Sequence, residues 1–209
     1  MRFRVSDALR WLVWGTKVVV RGTADLFSLM RGGGLAEAIE PWMRCAGPDD
    51  IPFERLAGEG FRAVLFDLEN TLIPPGGPFT AEGRAVVERA RAAGLAVGVV
   101  SNASAAWVHT ELEREGIPFV APAGKPSPRA FRKGCALLGV PPEETLYAGD
   151  QVITDVLGPQ RAGLRAILLQ PRFTKEARSS RFQRLVVRAV ERAVRGGAAP
   201  PDDGVAARG

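Results

Sequence analysis

The chain has 209 residues, 46% of them hydrophobic, 24% charged and 7% aromatic, a balance that excludes a disordered or fibrous protein. Two cysteines with no CxxC spacing, Cys45 and Cys135, exclude a disulfide framework and a cysteine-based zinc site, and one histidine, His109, excludes a histidine-rich metal centre. The net charge of +5 is unevenly spread: residues 1–34 carry six basic and two acidic residues, residues 35–171 thirteen and seventeen, and residues 172–209 nine and four. An acidic middle between basic ends predicts a cation-using core with termini that meet something anionic.

Residues 3–30 are rich in apolar side chains, among them Trp11, Trp14, Val18, Leu26 and Phe27, but Arg10 and Lys17 interrupt the run. A membrane-spanning helix needs about 20 mostly apolar residues, so this segment does not span, and it lacks the small-residue cleavage site of a signal peptide. On a helical wheel Asp7, Arg10, Lys17, Arg21 and Asp25 form one polar stripe. Tryptophan flanked by arginine and lysine suits a helix lying at a lipid headgroup layer. The same pattern also suits a helix packed on the core or on a partner subunit, and both readings stay open. Gly32, Gly33 and Gly34 end the pattern, and residues 35–60 form a lead-in.

From Arg62 short apolar runs alternate with helical periodicity. Ala63–Phe66 ends in Asp67, Ala96–Val100 in Ser101-Asn102, and Thr145–Ala148 in Gly149-Asp150, with a fourth run at Arg165–Leu169. Between them Ala81–Ala93, Ala105–Glu115 and Arg129–Leu138 repeat as helices. Strands alternating with helices predict an α/β fold, a parallel sheet with helices on both faces. Ligands bind such sheets at the carboxyl ends of the strands, and here three strand ends carry Asp67, Ser101 and Asp150. Only nine residues, Leu72 to Thr80, precede the first of these helices, and 22 residues separate Asn102 from Lys125. Neither stretch holds a large cap domain, so an open site is expected.

Hydrolysis of a phosphate monoester requires a nucleophile, a proton donor for the leaving alcohol and donors for the non-bridging oxygens. A carboxylate nucleophile also needs a cation to offset its repulsion from phosphate, and magnesium prefers oxygen ligands. Asp67-Leu68-Glu69-Asn70-Thr71 supplies two carboxylates two residues apart. Ser101 and Asn102 supply donors, and Lys125 is a fixed cation between a glycine and a proline in a chain with 24 Arg and 4 Lys. Gly149-Asp150 and Thr154-Asp155 add two more carboxylates.

This ordered set resembles the four motifs of the haloacid dehalogenase (HAD) superfamily of phosphohydrolases. The resemblance implies a HAD-like Rossmannoid sheet, Asp67 as nucleophile and Glu69 as general acid/base. It implies phosphate binding by Ser101, Asn102 and Lys125, and Mg²⁺ held by Asp67, Asp150 and the backbone carbonyl of Glu69, with Asp155 supporting the metal site. Glu69 stands where the superfamily usually has aspartate, and the extra methylene moves the carboxylate by roughly one bond, ~1.5 Å. Finer features resemble the YqeG family of subfamily IIIA phosphatases: Gly116-Ile117-Pro118-Phe119, Ala123-Gly124-Lys125-Pro126, Gly149-Asp150-Gln151, Thr154-Asp155-Val156-Leu157-Gly158 and the lead-in Pro48–Leu56 with Gly60. The match runs over residues 41–195. Relatives of that family in mitochondria and plastids convert phosphatidylglycerophosphate to phosphatidylglycerol, so the resemblance implies a phospholipid substrate. The alternatives are a phosphatase of a soluble sugar or nucleic-acid phosphate, and a phosphate-binding protein in which Glu69 marks lost catalysis.

Thr174 is suited to cap a helix over residues 175–195, completing a domain that starts at residue 61. Arg178, Arg181, Arg184, Arg188, Arg192 and Arg195 fall on one stripe of it, opposite Phe182, Val186, Ala189, Val190 and Ala193. The stripe is either a solvated face or a contact for anionic lipid; no nucleic-acid partner is expected. Residues 196–209 read as a disordered tail. The cysteine usage suits a reducing cytoplasm, with the basic ends able to meet the inner face of the cell membrane.

Overall fold

The computed structural model describes residues 40–103 and 106–173. The expectations for the amphipathic segment 1–34, the basic helix 175–195 and the tail 196–209 lie outside the described residues.

Six strands form one sheet: β1 (Met43–Cys45), β2 (Ala63–Phe66), β3 (Ala96–Val100), β4 (Phe119–Val120), β5 (Thr145–Gly149) and β6 (Arg165–Leu169). Their order is β1-β6-β5-β2-β3-β4, and every pairing is parallel. Helices α1 (Phe53–Gly58), α2 (Ala81–Ala92), α3 (Ala106–Arg114), α4 (Pro128–Leu138) and α5 (Gly158–Ala162) connect them. The four strands and three helices expected between residues 63 and 169 thus form within a residue or so of their expected bounds. Among the described residues no cap domain lies between β2 and α2 or between β3 and β4, where α3 is found.

The strands alternate between two buried faces, which is why they read as continuous apolar runs. Val64, Phe66, Val97, Val99, Leu146 and Ala148 join a core with Phe53 and Leu56 of α1, Val86 and Ala90 of α2, and Val108 and Leu112 of α3. Leu65, Val100 and Tyr147 face the other way, against Ala130, Phe131 and Cys135 of α4 and Ala162 of α5. Burying each of the larger side chains contributes ~1.5–3 kcal/mol. Local chemistry sets the helix ends. The Thr80 hydroxyl accepts from the Gly83 N–H at 3.0 Å to cap α2. Pro128 opens α4, and Gly139, at φ +66°, closes it in the left-handed conformation.

From residue 40 onward the lead-in joins this sheet. β1 pairs with β6 in the register Met43↔Ile167, and Phe53 and Leu56 are fully buried. Chain order along the sheet reverses between β2 and β5, the neighbours at its centre. Their carboxyl ends, with that of β3 alongside, form the crevice where such folds bind ligands.

Candidate active site

Asp67 follows β2 directly, and its N–H donates to the Ala148 carbonyl of β5 at 2.8 Å, which anchors it at the crevice. The chain then turns sharply. Asn70 sits at φ +62°, a left-handed conformation asparagine tolerates better than most residues. Asp150 follows β5, and a wide π-helical turn, Val152–Leu157, brings Asp155 back beneath it. The Gln151 N–H donates to Asp155 Oδ2 at 3.0 Å. The turn works because β5 ends in glycine: a Cβ on Gly149 would lie 2.6 Å from Asp155 Oδ2.

Lys125 ties these elements together. Its Nζ donates to Asp67 Oδ1 at 2.7 Å, Asp155 Oδ1 at 2.8 Å and the Tyr147 hydroxyl at 2.8 Å. Lys125 and Asp155 are 3% and 0% exposed, so these bonds lie out of water. Burial works against the ammonium, but Asp155 and Asp67 outweigh it and hold Lys125 above its ordinary value, fully charged. Asp67, Asp150 and Asp155 each place one oxygen within 4.8 Å of the others. Three carboxylates therefore cluster beside one ammonium that bonds two of them, an excess of two negative charges when all ionise. Burial pushes Asp67 from 3.8 to about 6, opposed by Lys125 and reinforced by Asp155. Burial also pushes Asp150 from 3.8 to about 7, with Asp155 and Asp67 adding to it.

This geometry fits a divalent cation. Both carboxylate oxygens of Asp150 are buried without a hydrogen-bond partner, and a buried unpaired carboxylate is costly unless a cation completes it. Asp155 differs, because its two oxygens already accept from Lys125 and Gln151. Asp67 and Asp150 are therefore the side chains best placed to hold a hard cation through oxygen, with Asp155 bracing Lys125 beside it.

The remaining predicted residues take distinct places. Ser101, 2% exposed at the end of β3, accepts the Ala103 N–H on its hydroxyl at 3.2 Å. Asn102 grips the backbone of Lys125: its Oδ1 accepts the Lys125 N–H at 2.8 Å and its Nδ2 donates to the Lys125 carbonyl at 3.3 Å. The amide thereby locks the two loops together. Glu69 is half-buried and its Oε1 accepts the Gly76 N–H at 2.8 Å, so its carboxylate belongs to the following loop and not to the acidic cluster. Tyr147 is a site residue that the motif pattern does not reveal. The signal was present: it is the one tyrosine of the chain, and it interrupts an apolar strand, where a buried hydroxyl must find partners.

A family model described as a hydrolase, haloacid dehalogenase-like hydrolase, matches residues 77–163. The "Probable phosphatase YqeG" of Bacillus subtilis (strain 168) is 33% identical over 139 residues, 66% of this chain and 80% of that protein. The phosphoserine phosphatase of Thermus thermophilus is 33% identical over 104 residues, 43% of this chain and 40% of its own length. Among solved structures, an uncharacterized protein from Listeria monocytogenes serotype 4b superposes with a TM-score of 0.46 at 19% identity, covering 56% of this chain and 84% of that one.

Proposed function

Because the chain belongs to the YqeG family of haloacid dehalogenase-like hydrolases, we propose that it is a phosphatase working through an aspartyl-phosphate on Asp67, with phosphatidylglycerophosphate as substrate. The observation that carries the chemistry is the buried cluster of Asp67, Asp150 and Asp155 around Lys125 at the strand ends. In this reading the Lys125 ammonium fixes the rotation of the Asp67 carboxylate. A carboxylate oxygen of Asp67 attacks phosphorus, the ester P–O bond breaks, and the leaving alkoxide takes a proton from Glu69. Glu69 then accepts a proton from water, whose oxygen attacks phosphorus, releases inorganic phosphate and restores Asp67. Ser101 donates to a phosphoryl oxygen, and Lys125 joins it with the proton that Asp67 Oδ1 gives up as that oxygen is phosphorylated, its other two staying on Asp155 and Tyr147. Asn102 holds the Lys125 backbone in place, and its second amide proton remains for phosphate. To meet the leaving group Glu69 turns away from Gly76, and its longer arm supplies the reach.

Asp67 and Asp150 would hold Mg²⁺, which, when bound, offsets the charge of nucleophile and phosphate. The basic, tryptophan-bearing segment 1–34 and the arginine stripe of 175–195 favour a lipid surface as partner, each basic residue near anionic lipid contributing about 1 kcal/mol. The protein in this reading is cytoplasmic and binds the inner face of the membrane peripherally. No described helix is long and apolar enough to cross a membrane. The similarity to the phosphoserine phosphatase of Thermus thermophilus favours a second reading, a small soluble phosphate ester.

Phosphate release by the full chain with Mg²⁺ separates them, with phosphatidylglycerophosphate in mixed micelles set beside a panel of soluble esters. Strong preference for the lipid is expected. Turnover of soluble esters alone would establish the second reading, and turnover of nothing would leave a phosphate-binding protein.

A further inference from the structure

An ammonium has three N–H donors and no acceptor, and all three of Lys125's are engaged, by Asp67 Oδ1, Asp155 Oδ1 and the Tyr147 hydroxyl. The first two acceptors are charged groups of the reacting cluster. In the proposed reaction Asp67 becomes an acyl phosphate and loses its charge, so its hold on Lys125 changes in every cycle. The tyrosine hydroxyl takes no part in bond making and stays the same throughout. We propose that Tyr147 is a positioning residue, whose hydroxyl fixes where the Lys125 ammonium stands while its carboxylate partners change.

The surroundings of Tyr147 suit a rigid acceptor. Its backbone lies in β5, hydrogen-bonded between β2 and β6, and the residue is 0% exposed. Its ring packs edge-on against Phe131, with centroids 4.9 Å apart and planes at 86°. The hydroxyl has two acceptors for its own proton, the Val100 carbonyl at 3.0 Å and Asp155 Oδ1 at 3.3 Å. A hydroxyl held between fixed acceptors presents its lone pairs to Lys125 from a fixed position. Asn102 holds the other end of the same residue through the Lys125 backbone. Lys125 is thus held at both ends by neutral groups, and the carboxylates are left free to exchange partners.

The inference rests on the aspartyl-phosphate reading for its purpose, and its test has one arm that needs neither substrate nor metal. The full chain is labelled with [¹⁵N]lysine; it contains four lysines. A buried ammonium with three bonded protons gives a slowly exchanging ¹⁵N–H₃ resonance at neutral pH, assigned by its disappearance in Lys125→Met. Tyr147→Phe keeps the ring and removes the acceptor. It is expected to speed exchange of that resonance about tenfold, the scale of losing a hydrogen bond to a charged group. In parallel, kcat for the best phosphate ester is expected to fall about tenfold while KM stays within about twofold, the pattern of a lost transition-state contact. No protected resonance in the parent protein, or an unchanged exchange rate in Tyr147→Phe, overturns the assignment. So does a fall in kcat without change in the resonance, which would place the effect in packing. A protein that turns over no ester refutes the phosphatase reading instead, and the exchange rates still decide whether Tyr147 holds the ammonium.

Discussion

Asp150→Asn removes one of three carboxylates clustered beside a single ammonium, with little change in shape. The Asp150 carboxyl is pushed from 3.8 to about 7, by burial first and then by Asp155 and Asp67. An acid whose folded value lies above its unfolded one binds more protons when folded. Its contribution to stability is therefore complete below about pH 4 and is lost as the pH rises through about 7. A gap of about three pH units, at ~1.4 kcal/mol each, caps that loss at ~4 kcal/mol by pH 8. The oxygens are buried but the residue as a whole is only partly so, and nearby solvent screens some of that loss, which sets a working range of ~2–4 kcal/mol. For a chain of this size that range corresponds to roughly 4–16 °C in Tm. In EDTA at about pH 8, Asp150→Asn should therefore melt above the parent, and near pH 4 the two should converge. Millimolar Mg²⁺ should raise the parent's Tm at pH 8 by neutralising the same excess charge, and should raise that of Asp150→Asn much less. Thermal unfolding followed by circular dichroism, with and without Mg²⁺ at both pH values, reads all of this. A substituted protein that melts below the parent at pH 8 in EDTA, or that answers Mg²⁺ as the parent does, would refute the reasoning.

Gly149→Ala should place its Cβ against the Asp155 carboxylate, at 2.6 Å from Oδ2 and 2.7 Å from Cγ, and so displace the brace of Lys125. The far-ultraviolet spectrum should be retained while kcat falls by about 10² or more, since small misplacements in a catalytic site are that costly; parental turnover would contradict the account. Glu69→Gln keeps an acceptor for the Gly76 N–H and removes the exchangeable proton. It should leave Tm nearly unchanged and lower kcat by about 10²–10⁴ for alkyl phosphates. p-Nitrophenyl phosphate, whose leaving group needs no proton, should suffer much less, and an equal loss for both would remove Glu69 from proton transfer.

Most of the sheet was legible because its strands are buried on both faces and end in polar residues. Ala63–Phe66 runs straight into Asp67, and Thr145–Gly149 into Asp150, so the pattern marks the elements and the crevice together. β1 was not legible: three residues including Arg44 carry no period, and only pairing with β6 makes them a strand. The place of Asp155 was legible as a carboxylate near the site, but the π-helical turn that carries it depends on its side chain reaching the Gln151 N–H. The motif positions of Asn102 and Glu69 predict a donor and an acid. Their observed partners, the Lys125 backbone and Gly76, come from loop geometry that no local spacing encodes. Tyr147 shows the same limit: its chemistry lies in a strand interior, where sequence patterning reports packing and not hydrogen bonding.

The central claim is that phosphate passes through Asp67. Acid quenching during turnover, followed by borohydride reduction, converts an aspartyl phosphate to homoserine, which peptide mass spectrometry locates. Homoserine is expected at position 67 in the presence of Mg²⁺, and neither homoserine nor turnover in Asp67→Asn. Turnover that leaves position 67 unmodified, or that survives in Asp67→Asn, would contradict it.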